Sequence, residues 1–167
     1  SSPVPAGRAR VLWLIRGLGP GGAENLLVAA ARAADRKRFD VSVAYLMPEK
    51  DALVPELREA GVEVMCLQAR RPPDLQWALR LRRRLREHPV DIVHAHSPLA
   101  AAASRVVART LPRRIRPACV STEHNLWAAY ALPTRVANAL TLPLARHHFA
   151  VSAEVRAAIP RPWRKRT

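Results

Sequence analysis

Short apolar runs alternate with amphipathic segments along most of the chain. Residues 10–15 (RVLWLI) form an uninterrupted apolar run, which is typical of a strand buried on both faces. Residues 40–46 (DVSVAYL) alternate and are rich in β-branched side chains, so they predict a second strand. By the same criteria, further strands are predicted at residues 62–67, 90–94, 118–122 and 148–151.

The segments between these runs have helical composition and helical apolar spacing. They predict helices at residues 23–34, 51–60, 74–87, 98–110, 134–146 and 153–159. Asp51, Ser97 and Ser152 are the predicted N-caps, with Pro98 in a first helical position and Gly61 as a C-terminal stop. The third helix is expected to turn its arginines outward and its leucines inward, at Leu75, Leu79, Leu81 and Leu85.

Buried strands joined by helices require crossover connections and therefore a parallel sheet. The pattern predicts an α/β fold, a doubly wound Rossmann-like sheet of six strands with helices on both faces. Such sheets bind ligands beyond the carboxyl ends of their strands, where the strand order reverses. We therefore expect the functional residues in the loops that follow the first, fourth and fifth strands.

Composition limits the possible classes of protein. The chain has 167 residues, 49% of them hydrophobic, which suits one domain with one core. No apolar run approaches the roughly 18 residues of a membrane span, and Cys66 and Cys119 are expected to be buried free thiols in a reducing compartment. The net charge is +15, but arginine supplies most of it and aromatic residues are only 5%, so we expect no nucleic-acid partner.

A glycine loop follows the first strand. Gly17, Gly19 and Gly22 satisfy the spacing G-x-G-x-x-G, in which glycines let a diphosphate approach the backbone at a helix N-terminus. A nicotinamide dinucleotide site would also need an acid at the end of the second strand, whereas residues 44–47 read AYLM. A different phosphate-bearing ligand is therefore favoured, and a turn that needs glycine for backbone reasons alone remains open, as does a role for Glu24 in complementing the helix dipole.

Polar residues also follow the fourth and fifth strands. His94 and His96 share one face of a strand, which fits a buried histidine at 94 and a cleft residue at 96. Zinc is an alternative, but it needs further ligands that the sequence does not group here. Residues 121–125 (STEHN) place titratable side chains directly after an apolar strand, where they either line the cleft or merely cap a polar turn.

These segments together resemble a known family. RVLWLIRGLGPGGAENLLVAAARAA, DIVHAHSPLAAAASRVVA, VSTEHN and FAVSAEVRAAI, in this order, are similar to the N-terminal domain of family-4-type glycosyltransferases. These are retaining, nucleotide-sugar-dependent enzymes with the two-domain GT-B architecture. The resemblance covers residues 9–159.

The resemblance implies a role for several residues. The loop with Gly21, Gly22 and Glu24 would face the diphosphate of the donor across the interdomain cleft. His124 would lie at the reaction centre as the catalytic residue. His96, Glu123 and Asn125 would lie on the acceptor side. No metal and no cofactor is implied beyond the nucleotide-sugar substrate.

The resemblance also implies a domain organisation. Residues 1–9 would be a flexible tail, residues 10–159 the acceptor-side domain, and residues 160–167 a basic tail. The chain ends before a C-terminal donor-binding domain, so we expect activity only when that domain is supplied in cis or in trans. The enzyme would transfer a hexose-type sugar to a glycan, lipid or small-molecule acceptor, as in cell envelope or polysaccharide biosynthesis.

The expected location is the cytoplasm, with the anionic inner face of the plasma membrane as a candidate peripheral partner. Two other functions stay open. One is a noncatalytic basic module that binds an anionic polymer or a membrane surface. The other is a fragment of a nicotinamide-dependent oxidoreductase.

Overall fold

A computed structural model describes residues 7–70 and 74–159. Within these residues the strands are β1 (Ala9–Ile15), β2 (Phe39–Tyr45), β3 (Glu63–Cys66), β4 (Ile92–Ala95), β5 (Ala118–Glu123) and β6 (His147–Ala150). The α-helices are α1 (Gly22–Ala33), α2 (Val54–Glu59), α3 (Gln76–Glu87), α4 (Pro98–Arg109), α5 (Leu132–Thr141) and α6 (Ala153–Ala158). Single turns of 3₁₀ helix lie at Arg113–Ile115, Trp127–Ala129 and Leu142–Leu144.

The strands form one parallel sheet in the order β3-β2-β1-β4-β5-β6. The predicted doubly wound sheet is confirmed. The chain runs outward from β1 in one direction, returns through α3, and runs outward from β4 in the other. The order therefore reverses between β1 and β4, which places a crevice at their carboxyl ends.

Helices cover both faces of the sheet because alternate side chains of the central strands point to opposite sides. Leu12 and Leu14 of β1 are fully buried in a core layer with α3 and α4. Ile15 belongs to the other layer, where the apolar side of α1 and α2 packs against Val43 and Tyr45.

The third helix corrects one part of the sequence prediction. Trp77, Leu81 and Leu85 are buried at a spacing of four residues, whereas Leu79 is 67% exposed. Residues two apart lie on opposite sides of a helix, so Leu79 cannot share the stripe of Leu81. Leu75 precedes the helix and is exposed as well.

Two helix ends lie where the sequence predicted them, and one does not. Gly61 has φ +74°, a left-handed conformation that favours glycine and ends α2 as predicted. The Ser152 hydroxyl accepts a hydrogen bond from the Val155 N–H at 3.2 Å and caps α6. Asp51 is not an N-cap, because α2 begins at Val54 and the preceding segment is a turn that hydrogen-bonds to the glycine loop.

Two further helices, α4 and α5, differ from the prediction in detail. Ser97 occupies the N-cap of α4, with Pro98 at a first helical position, but its buried hydroxyl makes no hydrogen bond among the described residues. α5 ends at Thr141, and a 3₁₀ turn containing Pro143 replaces its predicted last turn.

The predicted tails lie mostly outside the described residues, namely residues 1–6 and all of 160–167, while Ala9 already belongs to β1. Cys66 and Cys119 are both free thiols, although only Cys119 is buried. No helix in the described part of the chain is long and apolar enough to cross a membrane.

The correction in α3 gives a matched pair of substitutions. Leu81→Ala removes a fully buried side chain and is expected to lower the free energy of unfolding by about 2–5 kcal/mol. Leu79→Ala, on the exposed side of the same helix, is expected to change it by less than about 0.5 kcal/mol. Urea denaturation of both variants measures the difference. Equal losses would mean that both leucines pack in the core.

Candidate functional site

A cavity of about 740 Å³ opens at the carboxyl ends of β1, β4 and β5, where the strand order reverses. Its walls come from the loop after β1, the start of α1, the start of α4 and the segment between β5 and α5. Among the residues that line it are Gly22, Glu24, His96, His124, Asn125 and Tyr130. The three loops that the sequence singled out therefore meet in one place.

The start of α1 offers backbone donors to this cavity. Asn25 N–H donates to the Gly21 carbonyl at 2.9 Å, the first bond of the helix. The N–H groups of residues 22–24 precede that bond and have no intrahelical acceptor, and the positive end of the helix dipole lies with them. A Cβ placed on Gly22 would meet no atom within 4 Å, so the space above this residue is open.

Gly21 and Gly17 differ from Gly22. Gly21 precedes the helix as its N-cap, and a Cβ there would collide with the Glu24 carboxylate, which folds back toward it. A Cβ on Gly17 would come within 2.8 Å of the Lys50 side chain. Gly17 is therefore required for packing of the loop, and Gly22 alone of these three adjoins open space in the cavity.

Two cationic side chains that the sequence reasoning missed also line the cavity. Arg16 directly follows β1, and Lys50 lies in the turn after β2. Leu18 N–H donates to the Lys50 carbonyl at 2.7 Å, so the turn is fixed against the glycine loop. Arg16 could have been predicted as a site residue from the sequence, because it directly follows a buried strand. Lys50 is brought in only by the tertiary contact.

Three histidines form a contiguous group on the α1 side of the sheet. The rings of His94 and His96 are 4.3 Å apart between centroids, and His96 Nδ1 lies 3.2 Å from His124 Nε2. His94 Nε2 lies 2.8 Å from the Thr122 hydroxyl. His94 is thus a strand histidine that is only partly buried, whereas the sequence suggested a buried one, and His96 and His124 reach the cavity.

Burial favours the uncharged form of all three rings. Burial, together with the neighbouring His94 and His124, lowers the pKa of His96 to about 2. Burial lowers the pKa of His94 to about 4. Burial also lowers the pKa of His124, an effect that the charge of Glu24 partly offsets. In the described part of the chain, no three His, Cys, Asp or Glu side chains are arranged to hold a metal ion.

Glu123 does not line the cavity, contrary to its expected place on the acceptor side. It is the last residue of β5, and its side chain points to the opposite face from Thr122 and His124 because side chains alternate along a strand. It is 2% exposed. Its carboxylate accepts hydrogen bonds from the Asn138 amide at 2.7 Å and from the Tyr130 hydroxyl at 3.0 Å.

Glu123 belongs to a buried polar network behind the site. Arg105 of α4 is 1% exposed and donates to Asn138 Oδ1 at 2.7 Å and to the Ser121 hydroxyl at 2.6 Å. The Ser121 hydroxyl also lies 2.7 Å from Nδ1 of His148, whose pKa burial lowers to about 4. Burial raises the pKa of Glu123, against the lowering effect of its two hydrogen bonds and of Arg105.

This network reaches the cavity through Tyr130, which lines it and is bonded to Glu123. Tyr130 ends the 3₁₀ turn that follows His124 and Asn125. The network therefore fixes the segment that carries the candidate site residues. Glu123 is connected to the cavity only through its hydrogen bond with Tyr130.

An open parallel sheet with a crevice at its reversal point, lined by a helix N-terminus and a histidine, has the architecture of a Rossmann-like domain. The same fold occurs in Anabaena HepE solved with UDP and glucose, with a TM-score of 0.71 at 19% identity over 90% of this chain and 40% of that chain. The lipopolysaccharide outer core galactosyltransferase WaaB matches with a TM-score of 0.68 at 12% identity, over 90% of this chain and 41% of that chain. The UDP-GlcNAc 2-epimerase of Neisseria meningitidis, bound to UDP-GlcNAc, matches with a TM-score of 0.57 at 17% identity, over 89% of this chain and 42% of that chain.

The chain thus spans about 40% of the length of these structures and corresponds to one Rossmann-like half, the N-terminal half, of a GT-B fold. Residues 20–164 match the sequence model of Glycosyltransferase Family 4, and the chain belongs to that family. A comparison with curated proteins finds no match.

The buried network predicts a large loss of stability for one carboxylate and none for another. Glu123→Ala would leave the Asn138 and Tyr130 donors without their acceptor and Arg105 without a nearby negative charge. We expect the free energy of unfolding to fall by about 2–4 kcal/mol. Glu87→Ala removes an exposed carboxylate paired with Arg83 at 2.8 Å and is the matched control, with no measurable change expected. Equal urea midpoints for the two variants would contradict this account.

Proposed function

We propose that this domain is the acceptor-side half of a retaining, nucleotide-sugar-dependent glycosyltransferase. It would transfer a hexose-type sugar to a glycan, lipid or small-molecule acceptor. The observation that carries the proposal is the cavity that the N-terminus of α1 and His124 both line. Family membership supports the reaction class, and the structures with UDP or a UDP-sugar support a nucleotide-sugar as the donor.

The proposed reaction needs a stabilised diphosphate leaving group and a donor sugar held next to an acceptor. The free N–H groups of residues 22–24 and the cationic Arg16 and Lys50 are the groups here that favour a diphosphate. Glu24 sits among them as the only acid of this wall in the described residues, and it is suited to accept hydrogen bonds from sugar hydroxyls rather than to contact phosphate.

His124 would lie at the transferred sugar, with His96 behind it and Asn125 toward the acceptor. His124 and Asn125 line the cavity next to one another, and Asn125 is exposed. An exposed amide can both donate to and accept from a hydroxyl, so Asn125 suits an acceptor alcohol. Glu123 keeps a supporting role through Tyr130.

A second domain is expected to supply the opposite wall of the cleft. Rate enhancement in a two-walled cleft depends on groups from both sides being held around the reacting atoms. The test is an assay of nucleotide released from UDP-sugar donors, run with the 167-residue chain alone and with a C-terminal GT-B domain added in cis or in trans. We expect turnover only with both domains. Robust transfer by the 167 residues alone would overturn the need for the second wall.

Two substitutions in the reconstituted enzyme separate the proposed roles. His124→Ala is expected to lower kcat by about 10²-fold while donor affinity changes little, because the lost contact acts mainly in the transition state. Gly22→Val is expected to weaken donor binding and turnover together, since its side chain would occupy the open space above the helix N-terminus. Gly19→Val is the control, in the same loop with no atom within 4 Å of its Cβ position and outside the cavity lining. Unchanged kinetics for His124→Ala would remove this residue from the site.

One surface supports an additional contact with anionic membranes. Leu79 is exposed beside Arg82, Arg83 and Arg86 of α3, and Leu75 is exposed just before this helix. The helix α5 exposes a stripe formed by Leu132, Val136 and Leu140. Apolar side chains among arginines are suited to the interface of an anionic bilayer. A noncatalytic module that binds an anionic polymer would use the same arginines, and it would lose affinity steeply with salt.

Vesicle flotation tests this contact. The chain is expected to float with anionic vesicles and not with neutral ones, and R83E/R86E is expected to reduce the floated fraction severalfold. R32E/R58E is the charge-matched control, on the helices of the opposite face of the sheet. Equal flotation with neutral and anionic vesicles would contradict an electrostatic contact with the membrane.

A further inference from the structure

The histidine group has a hydrogen-bonding direction that the geometry sets. Its inner member, His96, lies between His94 and His124, and its Nδ1 is 3.2 Å from His124 Nε2. The rings of His96 and His124 are 5.5 Å apart between centroids and inclined by 30°. One nitrogen of this pair must donate and the other accept, because both rings are neutral.

The other nitrogen of His96 decides which one donates. His96 Nε2 is buried and has no hydrogen-bond partner in the described part of the chain. The ring centroids of His96 and its aromatic neighbour Trp13 are 6.3 Å apart at an interplanar angle of 80°, and Trp13 offers no lone pair, since an indole nitrogen only donates. A buried N–H without an acceptor is rarer and costlier than a lone pair without a donor. The proton of His96 therefore sits on Nδ1, which donates to His124 Nε2.

We propose that His96 is a positioning residue that fixes His124 in the tautomer with its proton on Nδ1. His124 Nε2 then accepts the hydrogen bond from His96, and the Nδ1–H of His124 is free to donate to a ligand. His124 is half-buried and lines the cavity, and no described side chain is bonded to its Nδ1. His96 thus acts through His124, and its expected direct contact with an acceptor is replaced by this role.

The tautomer limits what His124 can do. Its free nitrogen presents a hydrogen-bond donor to the cavity, so it cannot accept a proton there without first losing its own. The ligand atom opposite it is an acceptor oxygen. Under the proposed function this is a hydroxyl oxygen of the transferred sugar or an oxygen of the diphosphate, and in either case His124 stabilises charge rather than removing a proton.

The test is the nitrogen NMR spectrum of the 167-residue chain labelled with ¹⁵N-histidine, without ligand. Long-range correlations between ring nitrogens and ring protons distinguish the two neutral tautomers. The His124 signals are assigned by their loss in His124→Gln. We expect the Nδ1–H form of His124 in the unsubstituted chain. We expect His96→Leu to shift His124 toward the Nε2–H form, and His96→Asn, whose amide can still donate, to retain Nδ1–H.

His147→Asn, an exposed histidine on β6, is the control and should leave the His124 pattern unchanged. An Nε2–H pattern in the unsubstituted chain, or equal populations of both forms, would overturn the proposal. The unsubstituted spectrum decides even if a variant fails to fold. The readout needs neither donor nor turnover, so an inactive enzyme with the Nδ1–H pattern would refute the proposed function and leave the tautomer intact.

Discussion

The two-residue alternation of side chains along β4 and β5 is the constraint on which the candidate site depends. His94 and Thr122 point to the α1 side of the sheet, and His96 and His124 continue that side beyond the strand ends. Ser121 and Glu123 point to the side of α4 and α5. Because helices cover both faces, the first set is partly buried and the second fully buried, and each must find its partners on its own side. One face thereby gains a neutral histidine group and the other a charged network.

The two sets of polar groups differ in whether they keep their charge when they are removed from water. The histidines lose their charge, since burial lowers the pKa of His96 to about 2, and neutral rings can then stack and share hydrogen bonds. Arg105 keeps its charge, although burial lowers its pKa to about 10, because four acceptor atoms on Asn138, Thr141 and Ser121 surround it. A buried charge with this many partners holds α4, β5 and α5 in one arrangement, since removal of any partner leaves it under-satisfied.

Much of the fold could be read from the sequence because strand signals are local. The run RVLWLI and the alternation of DVSVAYL each define a strand without reference to the rest of the chain. Leu79 shows the limit of such local signals. A leucine between arginines on a helix is buried or exposed according to which side of the helix packs on the sheet. The place of Glu123 was missed for a related reason. The strand continues one residue past its apolar run, and the face on which this last side chain lies follows from the register and not from its polar neighbours.

The glycine loop shows why spacing alone was ambiguous. At Gly17 a side chain would collide with Lys50, whereas at Gly22 it would extend into open space. The match to G-x-G-x-x-G therefore combines one glycine set by packing with one that borders the cavity, and a sequence pattern cannot separate the two. The contact that fixes Gly17 also brings Lys50 to the cavity, so the loop carries information about the site that appears only when β2 and its following turn are placed beside β1. Lys50 lies in a turn and not in a strand, so its cationic side chain joins the cavity lining without changing the apolar pattern of either strand. The strand patterns alone therefore could not predict this charge at the site.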